Sequence, residues 1–216
     1  MPYIPIIAIA LVLILDAVPW YTSKKRQRKE TSGRMWTRVI IAIALISLAW
    51  WGLFTPWVNK DWVSDVAILN PEGDAGTAYI AYYPGRSSFQ QDIANAFAEG
   101  LVTNGWRVEI GTISSQAPTD LSQYDLVVLG SPTYFVQPAQ RVLKYVKTLD
   151  LSGINVVVLA SGLVTPKQAA SELEEAVSTA NGNIIKSVAV TTGSGMEGIT
   201  NPKETVREAA LAIPLP

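Results

Sequence analysis

The sequence predicts an α/β domain built on a parallel sheet of five strands, preceded by two membrane-spanning helices. Two observations predict this organisation. The first 58 residues contain two long apolar stretches, whereas short apolar runs alternate with longer amphipathic ones from residue 77 onward. Alternating strands and helices are typical of a parallel sheet that is covered on both faces. Residues 59–76 are then expected to be a linker between the hairpin and the domain at 77–216.

Composition limits the chemistry that the chain can perform. Of its 216 residues, 49% are hydrophobic and only 16% are charged, which is more apolar than an average soluble domain. The chain contains no cysteine and no histidine. Disulfides, Cys- or His-ligated metal sites, thiol catalysis and a Ser-His-Asp triad are therefore excluded. We expect no metal, and we identify no residues for independent catalysis.

Residues 3–21 and 39–58 are the two apolar stretches, and each is close to the ~20 residues needed to cross a bilayer as a helix. Aromatic side chains cluster at their ends, as they do at membrane interfaces. A cleaved signal peptide is the alternative for the first stretch, but the stretch lacks a basic segment before it and a small-residue cleavage site. We therefore predict a transmembrane hairpin over residues 1–58.

The loop at 22–38 predicts which side of the membrane the domain occupies. It carries all seven basic residues of the first 58, which gives residues 1–58 a net charge of +5 and the remainder −6. Short basic loops stay in the cytoplasm, so both chain ends and the domain are predicted to be extracytoplasmic. The acidic domain argues against nucleic acid as a partner. The expected partners are the lipid bilayer and either a larger membrane protein or a second copy of the chain.

The domain is predicted to contain five strands and four helices. Strands rich in Val, Ile and Tyr are expected at 78–82, 107–113, 126–130, 155–160 and 184–191. Helices are expected at 88–104, 138–149, 166–181 and 202–212. Pro166 and Pro202 are suited to the first turns of their helices. The interval 114–124 is expected to be a loop or a short helix.

One segment of the domain resembles a known family. The stretch "YDLVVLGSPTYFVQPAQRVLKYVKTL", residues 124–149, is similar to the third strand, the flavin-contacting loop and the next helix of the flavodoxin family. The resemblance covers about residues 77–213 and implies a doubly wound sheet of order 2-1-3-4-5. In such a sheet, the loops after strands one and three flank the switch point, where a ligand can enter.

The resemblance implies FMN as a cofactor. The residues that it places on the isoalloxazine side are Ser131, Pro132, Thr133 and Tyr134. The rings of Tyr134 and Phe135 can lie face to face with the flavin. Ser161 and Gly162 stand in the second flavin-flanking loop, which offers no aromatic residue here. The alternative for Tyr134 and Phe135 is a hydrophobic plug over the sheet edge or a contact with a partner.

The phosphate side departs from the family pattern. The family loop is (Ser/Thr)-x-Thr-Gly-x-Thr, but the first strand here leads into "YYPGRSSFQQ", residues 82–91, in which no glycine lies between two hydroxyl residues at that spacing. Ser87 and Ser88 at a helix amino terminus, with the charge of Arg86, could still hold a phosphate. In the alternative, Ser87 caps the helix, Gly85 makes the turn and Arg86 is solvated.

Three functions remain open on the sequence alone. The altered phosphate loop and the missing second aromatic favour a membrane-anchored structural or docking subunit of a membrane assembly, with a reduced or lost FMN site. The alternative is an FMN-binding electron-transfer protein or a flavoprotein subunit of a membrane redox complex. A third function is a sensor domain that binds another anionic small molecule through Arg86. Fold alone cannot choose among them.

Overall fold

The computed structural model describes residues 32–58, 60–134, 136–163, 166–192 and 201–216. The chain divides between residues 58 and 59 into two compact units. The described part of the first unit is a single helix, α1 (Ser32–Val58), of 27 residues. The first predicted span, residues 3–21, lies outside the described residues, as does most of the predicted basic loop.

Helix α1 begins inside the predicted loop 22–38 and continues to the end of the second apolar stretch. The apolar side chains described along it are exposed, with Ile40, Ile43 and Leu48 at 63%, 58% and 69%. Within the part of the chain that the structure describes, we find no helix that is both long enough and apolar enough to span a membrane. The transmembrane hairpin therefore remains a prediction.

The second unit alternates strands and helices, as predicted. In chain order its elements are β1 (Ala67–Leu69), β2 (Thr77–Tyr82), α2 (Phe89–Thr103), β3 (Arg107–Thr112), β4 (Leu126–Tyr134), β5 (Gln137–Pro138), α3 (Gln140–Val146), β6 (Asn155–Gly162), α4 (Pro166–Thr179), β7 (Asn183–Thr191) and α5 (Pro202–Leu211). The interval 114–124 forms a loop.

Five of the strands form a parallel sheet in the order β3-β2-β4-β6-β7. This confirms the predicted order 2-1-3-4-5. The central strand β4 is buried from Leu126 to Ser131, as expected for a strand that is covered on both faces.

The prediction of five strands was wrong, because the described part of the chain forms a sheet of seven. β1 pairs antiparallel with β3 at the sheet edge, and β5 pairs antiparallel with the end of β4. These strands have three and two residues, too few for alternation of apolar and polar side chains to predict them. The strand predicted at 126–130 is longer than expected, because β4 stays paired with β6 through Pro132 and continues to Tyr134.

Strand β7 forms the opposite edge of the sheet. Its pairing with β6 is interrupted by a bulge between Val156 and Val157, where the partner residue moves from Ile184 to Lys186. Among the described residues, no strand pairs with the outer side of β7. A bulge at an edge bends the strand and increases its local twist.

Two helices cover each face of the sheet. Because successive side chains of a strand point to opposite faces, Tyr79 and Ile80 of β2 enter different cores. Ile80 packs with Phe97 of α2 and with residues of α5. Tyr79 lies in the other core, with Leu173 of α4 and with residues of α3. These two cores fix the sheet between its helices and leave its carboxyl edge to the loops.

Part of the predicted linker 59–76 is held against the domain by hydrogen bonds. Thr112, at the end of β3, donates a hydrogen bond from its hydroxyl to the Trp62 carbonyl at 2.5 Å. The same hydroxyl oxygen accepts from the Ser64 backbone N–H at 3.1 Å. Residues 60–66 are therefore held against the domain by a side chain that is itself buried.

Two further contacts hold the same segment. The hydroxyl of Tyr83, which directly follows β2, donates to the Lys60 carbonyl at 2.9 Å. The guanidinium of Arg141 on α3 pairs with the Asp61 carboxylate at 3.0 Å. Because β2 and β3 are parallel neighbours that both end here, the chain enters this unit at the carboxyl edge of its sheet.

We expect Thr112→Val to lower the free energy of unfolding by about 1–3 kcal/mol, because the Trp62 carbonyl and the Ser64 N–H both lose a buried partner. Chemical denaturation of the full-length chain measures this loss, and limited proteolysis should show new cleavage at 60–66. Thr103→Val is the matched control. The Thr103 hydroxyl lies on an exposed helix surface and donates only to the Glu99 carbonyl at 2.8 Å, so its loss should stay within about 0.5 kcal/mol. Equal losses of stability in the two variants would contradict the conclusion that the Thr112 hydroxyl holds residues 60–66 against the domain.

Candidate cofactor site

The carboxyl ends of β2, β4 and β6 meet at one edge of the sheet, because β4 pairs in parallel with both neighbours. The structure brings nine of the ten predicted site residues to this edge: Arg86, Ser87, Ser88, Ser131, Pro132, Thr133, Tyr134, Ser161 and Gly162. Phe135, the tenth, lies outside the described residues. The three loops therefore form one candidate site.

The loop after β2 exposes the side chains of Arg86, Ser87 and Ser88. Ser88 occupies the position before the first residue of α2, and its side chain makes no capping hydrogen bond. The position before α2 is one residue later than the Ser87 of the predicted alternative, and the Ser88 backbone there has helical angles of φ −68° and ψ −8°. The first N–H groups of α2 have no capping side chain, which leaves them suited to an anion.

Ser131 stabilises the backbone of the site through hydrogen bonds. It is fully buried, and its hydroxyl oxygen accepts from the Ala139 backbone N–H at 2.9 Å. The same hydroxyl donates to the Pro132 carbonyl at 3.0 Å. Both hydrogen bonds stabilise the turn from β4 through β5 into α3. The Ser131 hydroxyl therefore already has a donor and an acceptor partner within the protein.

Gln90 is a site residue that the sequence analysis did not identify. It is only 1% exposed, and its side-chain oxygen accepts a hydrogen bond from the Ser161 hydroxyl. Its side-chain nitrogen lies 2.7 Å from the position that a Cβ on Gly130 would take, so this close approach requires glycine. The signal was available in the sequence, since Gln90 is the polar member of the helical stripe that continues with Ile93 and Phe97.

Three buried polar atoms in the site have no hydrogen-bond partner among the residues that the structure describes. They are Nε2 of Gln90, Oγ1 of Thr133 and Oη of Tyr134. A buried polar atom without a partner costs about 1–3 kcal/mol, and such atoms are rare in native proteins. All three belong to residues at this edge of the sheet, where a bound group could satisfy them, although the described residues also include three such atoms away from the site, on Tyr79, Trp106 and Arg107.

Tyr134 packs directly against the first loop. Its hydroxyl oxygen is 2.8 Å from the position that a Cβ on Gly85 would take, and Pro132 Cγ is 3.0 Å from the same position. Gly85 also has φ of +70°, so the turn and the close approach both require glycine. Burial raises the pKa of Tyr134 to about 12, with a further rise from Tyr83, while the charge and the backbone N–H of Arg86 oppose the shift. The phenol is therefore neutral at pH 7.

Apolar side chains surround the outer part of the site. Val136 and Leu163 are 42% and 72% exposed, one in the β4–β5 turn and the other just after β6. Val136 has φ of +67°, which costs a β-branched residue on the order of 1–3 kcal/mol. Strain of this kind is concentrated at ligand-binding loops.

The site thus combines an uncapped helix amino terminus, inward polar donors and an apolar rim. That combination suits a ligand with an anionic end and an aromatic or apolar body. Among the residues that the structure describes, no group of three or more acidic side chains is placed to hold a metal ion.

Solved structures share this fold. A flavodoxin from Streptococcus pneumonia TIGR4 aligns over 63% of this chain and 97% of its own, with 17% identity and a TM-score of 0.53. Flavodoxin 2 from Bacillus cereus aligns over 63% and 96%, with 21% identity and a TM-score of 0.53. A flavodoxin from the domain Archaea covers 62% and 94%, with 13% identity and a TM-score of 0.53.

No family model and no curated protein matches the chain. At the identities of these solved structures, the similarity establishes a flavodoxin-like fold and leaves the cofactor to be argued from the site.

We expect Tyr134→Phe to leave the free energy of unfolding unchanged or to raise it by up to about 1 kcal/mol, because the deleted hydroxyl is buried and makes no hydrogen bond of normal geometry with a described residue. Tyr145→Phe is the matched control, since the Tyr145 hydroxyl donates to the Pro118 carbonyl at 2.5 Å. Its loss should lower the free energy of unfolding by about 0.5–1.5 kcal/mol. Urea denaturation of both variants makes the comparison, and a larger loss in Tyr134→Phe would contradict the unpartnered hydroxyl.

The raised pKa of Tyr134 predicts an alkaline loss of stability. The folded state favours the neutral phenol, so this contribution is complete below the ordinary tyrosine pKa of about 10. It is lost as pH rises through the folded pKa of about 12. Denaturation midpoints measured across this interval should fall more steeply for the wild type than for Tyr134→Phe. Identical pH profiles would show that Tyr134 titrates like a solvated phenol.

Proposed function

We propose that the domain binds FMN at the carboxyl edge of its sheet and transfers electrons from a membrane-tethered position. The observation that carries this proposal is the convergence of unpartnered polar atoms from Gln90, Thr133 and Tyr134 beside the uncapped start of α2. A flavodoxin-like fold supplies the crevice, and the site supplies donors that no described group of the chain uses. FMN, when bound, supplies one- and two-electron transfer.

The anionic end of FMN belongs at the loop after β2. The backbone N–H groups at the start of α2 and the exposed hydroxyls of Ser87 and Ser88 would receive the phosphate, with Arg86 adding a positive charge. This set differs from the threonine-rich loop of the family, because one charged side chain replaces part of the hydroxyl array.

The ring of FMN belongs between the other two loops. Val136 and Leu163 supply exposed apolar surface on the two sides, and Tyr134 lies in the same loop as Val136. Thr133 Oγ1 and Gln90 Nε2 are buried donors without a partner among the described residues, and they would be available to the ring. Ser131 takes no part, since its hydroxyl already makes two bonds within the chain.

The membrane tether is the second part of the proposal. It is supported by the two apolar stretches at 3–21 and 39–58 and by the basic loop at 22–38. The exposed apolar side chains along α1 also favour an apolar surrounding for that helix. In this arrangement the loop is cytoplasmic, both chain ends and the domain are extracytoplasmic, and a larger membrane protein or a second copy packs against the hairpin.

A second candidate function is a flavin-free docking subunit of a membrane assembly. The observation that favours it is the close packing of Tyr134 and Pro132 on Gly85, which fills space beside the phosphate loop. The hydrogen bond from Ser161 to Gln90 also joins two sides of the crevice. In this function the loops serve as a contact surface for a partner protein.

Absorbance of the purified full-length chain, followed by titration with FMN and riboflavin, separates the two functions. An FMN protein should show flavin bands or take up one equivalent, and it should bind FMN roughly 10- to 150-fold more tightly than riboflavin if the phosphate makes one charge-assisted contact of about 1.5–3 kcal/mol. Replacing Ser87 and Ser88 together by alanine should reduce this preference, and Ser178→Ala on α4 should not. Absence of flavin uptake would contradict the first function and favour the second.

The topology is testable because the chain has no cysteine. Single cysteines introduced at Ser23, in the predicted loop, and at Ser187, exposed on β7, report the side of the membrane through a thiol reagent that cannot cross it. In intact cells Ser187→Cys should be labelled and Ser23→Cys should be labelled only after the membrane is opened. The reverse pattern would contradict the orientation, and release of the chain by alkaline carbonate would contradict the span.

A further inference from the structure

Tyr83 joins segment 60–66 to the first loop of the candidate site. It is 1% exposed, and its hydroxyl donates to the Lys60 carbonyl at 2.9 Å. Its backbone N–H donates to the Gly130 carbonyl at 3.0 Å, next to the residues of β4 that belong to the site. The residue that follows it is Pro84, which begins the first loop of the site. Tyr83 thus contacts the segment with its side chain and the site with its backbone.

The connection from Tyr83 into this loop is stiff. The ring of Pro84 fixes its own φ and also restricts the backbone of the residue before it. A change in the backbone of Tyr83 is therefore carried to Gly85. The position of a Cβ on Gly85 is 2.8 Å from the Tyr134 hydroxyl oxygen and 3.0 Å from Pro132 Cγ. Because Gly85 is packed this closely against two residues of β4, a shift of the loop disturbs the crevice.

Charged side chains lie at the same junction. Asp61 pairs with Arg141 of α3 at 3.0 Å and also accepts from the Ser115 backbone N–H at 3.2 Å. Burial raises the pKa of Tyr83, while Arg141 opposes this rise and Asp61 adds to it. Burial also raises the pKa of Tyr134, and Tyr83 adds to that rise. The segment, α3 and the candidate site therefore share one group of neighbouring polar side chains.

Hydrogen bonds hold segment 60–66 more than burial of its apolar side chains does. Trp62 and Val63 are 39% and 51% exposed, so the segment gains less from apolar packing than a core element does. Segments of this kind open at a lower free energy than the core strands and helices. Release of the segment would take the Lys60 carbonyl away from the buried Tyr83 hydroxyl, which costs that hydroxyl an acceptor.

We propose that segment 60–66 is a regulatory strap, and that Tyr83 is the positioning residue through which docking of the strap supports ligand binding in the crevice. In the docked state the Lys60 carbonyl holds Tyr83, and the loop after β2 keeps its packing against β4. In the released state this hydrogen bond is absent and the loop is less ordered. The inference rests on the proposed function only for its ligand, FMN. Since the strap follows the apolar stretch 39–58 after a single residue, a membrane partner that engages the tether would act on the crevice through the strap.

Hydrogen exchange of the full-length chain, measured with and without FMN, tests the strap. Asp61→Ala combined with Ser64→Ala removes side-chain contacts of the strap and leaves Tyr83 unchanged. This strap variant should exchange faster at 60–66 and also at 84–88, and it should bind FMN roughly fivefold or more weakly than the wild type. In the wild type, FMN should slow exchange at 60–66, because coupling between two sites is reciprocal.

Two further variants isolate the part that Tyr83 plays. Asp150→Ala combined with Ser152→Ala is the matched control, since it removes an Asp–Ser contact from the loop between α3 and β6. It should change neither exchange in the two segments nor the affinity for FMN. Tyr83→Phe deletes the hydroxyl that reaches the strap. In this background the strap variant should still speed exchange at 60–66 but should have no further effect on the loop or on FMN affinity. Thermal denaturation confirms that each variant is folded.

The outcomes separate the inference from the proposed function. Faster exchange at 60–66 alone, with FMN affinity unchanged, would overturn the inference while the FMN function stands. Faster exchange at both 60–66 and 84–88 in a chain that takes up no FMN would support control of the loop by the strap and contradict the FMN function. Additive effects of Tyr83→Phe and the strap variant would mean that Tyr83 does not transmit the change, and the inference would fail. Unchanged exchange in both segments would also overturn it.

Discussion

The parallel pairing of β4 with both β2 and β6 is the constraint on which the site depends. Because the three strands run in the same direction, their carboxyl ends coincide, and three loops far apart in sequence become neighbours. The hydrogen bond from Ser161 to Gln90 joins residues 71 positions apart along the chain. An antiparallel partner in place of either neighbour would send that loop to the opposite edge, and no local feature of the loops would bring them together again.

At this edge, close packing of side chains is achieved at the expense of hydrogen bonding. Close contact among Gly85, Pro132 and Tyr134 excludes water and gains dispersion energy. The same contact leaves polar atoms of Thr133, Gln90 and Tyr134 without partners. The backbone groups of the strands meet both demands, since they lie in the ladder. Buried side-chain atoms of Tyr79, Trp106 and Arg107 also have no hydrogen-bond partner among the described residues, so this conflict is not confined to the edge.

The sequence predicted the long strands and their order because each strand carries an apolar run bounded by turn residues, and β4 also carries the motif that resembles flavodoxins. It did not predict β1 and β5, since strands of three and two residues are defined by their partners and not by their own pattern. Nine of the ten candidate site residues are brought to one edge. Gln90 was missed because its hydrogen bond requires Ser161, which lies 71 positions away, and the start of α2 falls one residue after the Ser87 of the capping alternative.

The bulge in the pairing of β6 with β7 affects how copies of this protein can associate at high local concentration. An outer strand of nine residues presents a row of backbone donors and acceptors, which is a template for pairing with another chain. The extra residue at Ile185 bends that row after its first two positions and divides it into shorter segments. A second copy therefore finds no long, regular strand to pair with. The bulge that interrupts the register of β6 with β7 thus also protects the sheet against aggregation through this edge.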